Sequence, residues 1–125
     1  MTSNSNVQLT ITFNDPDLDV EERDEEAQKL LNQMKSLDEV ESVNRVLDPN
    51  PPEGNKALGG FLLGILSAEV SPANFKKLMG FLGDRLSGKV IELEVEANEK
   101  KLKVKASSQA ELTAAIEAAQ KFLSM

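Results

Sequence analysis

The chain contains no cysteine, no histidine, no tryptophan and no tyrosine among its 125 residues. Each absence removes a class of chemistry. Without cysteine there is no thiolate nucleophile and no disulfide framework, although this leaves the redox compartment open. Without histidine there is no imidazole base, no Ser-His-Asp arrangement and no ordinary zinc site. Five Phe are the whole aromatic complement, so platforms for base stacking are scarce. A net charge of −7 opposes the phosphate backbone, which is bound through clustered Lys and Arg. Any enzyme built here would have to work with carboxylates, Lys, Ser or Thr; a nucleic-acid partner is not expected, nor is a cofactor or a bound metal.

The length suits one domain with a core of its own. Residues 1–6, small and polar, read as a frayed, disordered end, and residues 7–125 as a single α/β domain. The first residues, "MTSNSNVQL", show neither a charged nor an apolar leader region, which predicts a cytoplasmic location.

Periodicity supplies the elements. In "VQLTITF", Val7, Leu9, Ile11 and Phe13 alternate with Gln8, Thr10 and Thr12, a strand buried on one face. Ala27, Leu30, Leu31 and Met34 follow helical spacing, and "VESVNRVL" (40–47) returns to strand character. A strand–helix–strand run of this length predicts a parallel βαβ unit. "DPNPPEGN" (48–55) is a loop by composition. Ser71-Pro72 opens a further helix as cap and first residue, with Phe75, Leu78, Met79, Leu82 and Leu86 as its apolar stripe and Gly88 beyond its end.

The best specified segment is "KVIELEVEANEKKLKVKA". Folding it back at Asn98-Glu99 sets Glu96 against Lys101, Glu94 against Lys103 and Glu92 against Lys105. The same register sets Val95 against Leu102 and Leu93 against Val104, so one pairing satisfies both faces. Ser108 and Glu111 form a capping box before a final helix with Leu112, Ala115, Ile116, Ala119 and Leu123 on one stripe. The expected order is β-α-β-α-α-β-β-α. It describes an α+β protein, a two-layer α/β sandwich with a mixed sheet of about four strands and helices on one face.

Two stretches invite functional readings. In "FNDPDLDVEERDEEAQKLL", Asp15, Asp17, Asp19 and Glu26 occupy ligand positions of a calcium loop. Its sixth position, however, is Val20 where the turn needs Gly, and its eighth is Glu22 where an apolar residue belongs. A helix start accounts for more: Asp19 as cap, Glu22 closing a capping box, and further acids in the early turns where the helix dipole favours them. A carboxylate-based divalent-cation site stays as the alternative.

The second stretch is "ALGGFLLGILSA" (57–68), with no charge for twelve residues. Read as a helix it is apolar nearly all round, and exposing its large side chains would cost on the order of 10 kcal/mol. Its cover could be the protein's own core, a partner or second copy approaching at Gly60 and Gly64, or a membrane. Twelve helical residues reach only about 18 Å against a hydrocarbon core of ~30 Å, so stable membrane insertion is not expected. Phe61, Leu62 and Leu66 are the candidate partner-binding residues.

From "EGNKALGGFLLGILSAEVSPANFKKLMGFLGDRLSGKVIELEVEANEKKLKVKASSQAELTAAIEAAQKFL" (53–123), the chain resembles the effector-associated constant component family, most strongly between Phe81 and Val95. The resemblance implies an accessory or adaptor domain of predicted bacterial conflict (immunity) systems, without catalysis of its own, partnered with an effector such as a protease-like module. Many members carry a Trp and a basic run where this chain has Phe81-Leu82-Gly83-Asp84-Arg85-Leu86, so no role of that run transfers. A homo-oligomeric structural protein, most simply a homodimer, is a further reading.

Overall fold

A computed structural model describes residues 6–48 and 60–124. Of the expected disordered end, residues 1–6, the first five lie outside the described residues, while Asn6 donates a hydrogen bond to Glu69 Oε2 at 3.0 Å. The predicted loop lies outside them too, apart from Asp48, whose backbone N–H donates to the Gly60 carbonyl at 2.7 Å.

The elements run β1 (Val7–Phe13), α1 (Val20–Lys35), β2 (Val40–Leu47), β3 (Phe61–Val70), α2 (Pro72–Arg85), β4 (Ile91–Ala97), β5 (Lys100–Ala106) and α3 (Gln109–Ser124). The strands form one sheet in the order β2-β3-β1-β4-β5, and every neighbouring pair is antiparallel. From β1 to β4 the two β-α-β units interleave, the split β-α-β arrangement, and β5 with α3 extends it. The α+β class and the helices on one face stand as expected. Two expectations are corrected: the sheet has five strands rather than about four, and it is antiparallel rather than mixed. The strands β1 and β2 do run parallel across α1, but β3 inserts between them and pairs with both.

The third correction concerns segment 57–68. Its described part is a strand, not a helix. Gly64 has φ +77° and Gly60 φ +75°, a left-handed conformation that a right-handed helix cannot contain. A short apolar run fits a central strand as well as a buried helix, and β3 is hydrogen-bonded on both edges. Gly60, just before β3, and Gly64, within it, therefore serve backbone turns rather than a close helix contact.

The register places the core on one face. Leu9 faces Ala68 on one side and Val95 on the other, and Ile11 likewise faces Leu66 and Leu93. These residues form a single cluster with Ala27, Leu30, Leu31 and Met34 of α1, Phe75, Leu78, Met79 and Leu82 of α2, and Leu112, Ala115 and Ala119 of α3. No polar or charged residue is buried among the described residues. The opposite face carries Thr10 and Thr12, the Glu row of β4 and the Lys row of β5.

The β4–β5 hairpin has the expected register pair for pair. Its charges connect along diagonals, Lys101 to Glu94 at 3.2 Å and Lys103 to Glu92 at 3.8 Å, as well as directly across, Lys103 to Glu94 at 4.0 Å, because strand twist also brings long side chains toward diagonal partners. Asn98 (φ 53°) and Glu99 (φ 67°) both take positive φ, the type I′ turn whose twist matches a hairpin. Glu99 is strained there, since a Cβ disfavours this region and glycine does not. Glu99→Gly is expected to raise stability by about 0.5–1 kcal/mol, read as a higher urea midpoint at unchanged slope. A lower midpoint would contradict the strain argument.

Helix starts follow their caps. Asp19 and Glu22 form both halves of the capping box on α1, at 2.8 and 2.9 Å. At α3, the Glu111 N–H donates to Ser108 Oγ at 3.2 Å, but the Glu111 carboxylate accepts from Ser107, one residue earlier than expected. The Ser107 hydroxyl, then its backbone N–H, holds the Glu111 carboxyl below the usual carboxylate range. Ser71 occupies the N-cap of α2 but its hydroxyl makes no cap hydrogen bond. Pro72 has no N–H to offer, and its fixed φ presets the first turn.

Candidate functional site

The acidic stretch resolves into local structure. Asp15 Oδ1 accepts the Asp17 N–H at 2.9 Å, an Asx turn, while the Asp15 carbonyl accepts from Arg23 Nε at 2.9 Å. Asp19 caps α1. Glu26 pairs with Lys89 at 2.7 Å. Of the four carboxylates expected to converge on a cation, those of Asp15, Asp19 and Glu26 are thus engaged in different directions, and among the described residues no group of three acidic side chains could hold a metal ion.

The three candidate partner-binding residues separate. Leu66 has 0% exposure and belongs to the core, so it cannot meet a partner without unfolding. Leu62 is half-buried, and Phe61 is 37% exposed. The strand period explains the split. From Leu66 onward, alternate side chains of β3 enter the core, whereas the irregular stretch around Gly64 turns the first residues outward. The register shift between Arg45 and Leu47 marks the same place. Beyond it Leu47 stands directly opposite Phe61 and is 67% exposed. Sequence reasoning missed Leu47, whose only signal was the breakdown of alternation in "VNRVL".

Arg45 organises this end of the sheet and was also missed. It comes from β2 and bonds Asp24 of α1. Its Nη1 donates to Gln28 Oε1 at 3.1 Å, its Nε to the Ile65 carbonyl at 3.3 Å and its Nη2 to the Leu62 carbonyl at 3.4 Å. Asp24 accepts the Gly64 N–H as well, at 2.9 Å. The bulge backbone would otherwise lack partners, and this network supplies them from α1 and β2 together. Burial pushes the Arg45 guanidinium down from its ordinary pKa. Its guanidinium carbon lies 5.7 Å from the Phe61 ring centroid, a cation–π distance that fixes the ring. The outcome is a pair of apolar side chains, Leu47 and Phe61, held at the sheet's end on a rigid base.

A cleft of about 690 Å³ lies between α2 and α3, lined by Pro72, Phe75, Lys76, Glu117, Gln120 and Lys121. Its charges are of both signs and it brings together no nucleophile–base pair, so its lining defines no reaction. Among the described residues no helix is long and apolar enough to cross a membrane.

No family model, no curated protein and no solved structure matches the chain. The site's geometry therefore stands as the basis for its function.

Proposed function

We propose that this protein is a non-catalytic interaction module that binds a protein partner through the end of β2 and β3 bearing Leu47 and Phe61. The observation that carries the reading is the paired exposure of these two large apolar side chains. Half-buried Val46, Leu62, Leu63 and Ile65 accompany them. An aromatic anchor on an ordered base loses little conformational freedom on binding, the property that makes such residues dominate interfaces. The resemblance set out above makes an effector, protease-like among others, the partner class to test first, with this chain as the accessory component.

The test is crosslinked capture from native lysate with the proteins identified by mass spectrometry, using Phe61→Asp and Leu47→Asp beside the unaltered chain. Both variants are expected to lose the partner by at least tenfold, because a charge placed at an anchor costs more than about 1.4 kcal/mol. Their circular dichroism should remain native, since both positions are exposed. A partner retained by both folded variants would overturn the reading.

A further inference from the structure

The charge of this chain is unevenly placed. Residues 15–26 hold eight acidic side chains and one basic, a net −7, which equals the charge of the whole chain. The remaining residues carry thirteen of each sign and balance. Part of the excess has a local cause: Asp19 and Glu22 close the capping box, and Asp24 and Glu26 are bonded to Arg45 and Lys89. Glu21 and Glu25 have no such use. Both are exposed, and among the described residues neither forms an ion pair or a side-chain hydrogen bond. They stand one turn apart and repel each other, and Glu25 lies past the first turn, where the helix dipole no longer favours an acid.

Their place is beside the apolar pair. Glu21 precedes Asp24 by three residues and Glu25 precedes Gln28 by three, neighbouring positions on a helix. Asp24 and Gln28 are the α1 residues that hold Arg45, whose guanidinium carbon lies 5.7 Å from the Phe61 ring centroid. Asp24 offsets the Arg45 charge. The exposed Leu47 and Phe61 are therefore bordered on the α1 side by negative charge that nothing compensates.

We infer that the segment bound at Leu47 and Phe61 is basic: an apolar residue seats on the pair while Lys or Arg side chains reach Glu21 and Glu25. The inference rests on the partner-binding reading and adds the partner's charge to it. The two parts do different work. The apolar pair excludes water and supplies affinity. The carboxylates select among segments and speed their arrival, because a basic segment is drawn to them and an acidic one meets like charge.

The test uses the whole chain as bait for a library of random short peptides displayed on phage. The selected sequences are compared with those selected by Glu21→Gln/Glu25→Gln and by Phe61→Ser, which alters the anchor without altering charge. Both variants should keep native circular dichroism, since all three positions are exposed. The unaltered chain should enrich peptides that join Lys or Arg to an aromatic or aliphatic residue. The glutamine variant should lose the basic preference and keep the apolar one, and Phe61→Ser should enrich neither. A synthetic copy of the most enriched peptide should bind the glutamine variant roughly three- to tenfold more weakly than the unaltered chain. That difference should vanish near about 1 M salt, where the screening length falls to about 3 Å. Neutral or acidic peptides that Phe61→Ser loses would overturn the basic partner and leave the apolar anchor standing. Basic peptides that Phe61→Ser retains would overturn the inference too, since the charge would then act without the anchor. No enrichment at all would overturn the inference together with the reading beneath it.

Discussion

Gly64→Ala is expected to lower stability by about 2–4 kcal/mol, with a fall in Tm of roughly 10 °C for a chain of this size. Two causes add. The φ of +77° costs an L-residue about 1–2 kcal/mol. The new Cβ would also stand 3.1 Å from the Phe13 carbonyl oxygen and 3.3 Å from Arg23 Cβ, closer than ordinary van der Waals contact. Neither neighbour yields easily. One is backbone of a central strand, and the other belongs to a helix residue whose guanidinium is bonded to Asp15. Moving either would also strain the Gly64 N–H bond to Asp24. The same substitution at Gly80 is the control. Gly80 lies within α2 with nothing within 4 Å of its Cβ position, and there Ala should stabilise by about 0.5–1 kcal/mol. Urea denaturation of the two variants should give shifts of opposite sign. Equal shifts would sink the explanation.

Asp24→Ala should cost about 2–3 kcal/mol. It leaves the Gly64 N–H and the Arg45 guanidinium without their shared acceptor. The figure sits below that for a fully buried pair because the two side chains keep 11% and 23% exposure. Arg45→Met retains the packed stem but removes the donors to the Leu62 and Ile65 carbonyls and the cation from the Phe61 ring, and should cost a similar amount. The double variant should cost about 1–2 kcal/mol less than the sum, because each single change orphans a group that the other removes. A coupling below about 0.5 kcal/mol would mean that the two act separately. The consequence reaches function: Arg45→Met should also weaken partner capture, since it frees the Phe61 ring without altering it.

What could be read from spacing was set by contacts between near neighbours in the chain. The alternation of Val7, Leu9, Ile11 and Phe13 places β1 face-down on any core. The facing rows of Glu92, Glu94, Glu96 and Lys101, Lys103, Lys105 admit one hairpin register, because a slip of one residue would invert both faces at once. Asp19 and Glu22 close a helix start within four residues. The apolar run at 57–68 had no such arbiter. An uncharged segment satisfies a buried helix and a central strand alike, and its identity was decided by the gap between β1 and β2, which offers two open hydrogen-bonding edges to whatever strand fills it. The insertion of β3 also removed the parallel pairing that β1-α1-β2 implied. Residues 21 and 40 positions apart meet in the clamp of Asp24 with Arg45 and Gly64, and no local period announces such a meeting. Whether Leu66 turned inward and Phe61 outward depended on that clamp. Periodicity reports which face of an element seeks cover; which neighbour supplies it is settled by long-range pairing, where backbone hydrogen bonds and shape, rather than residue spacing, discriminate.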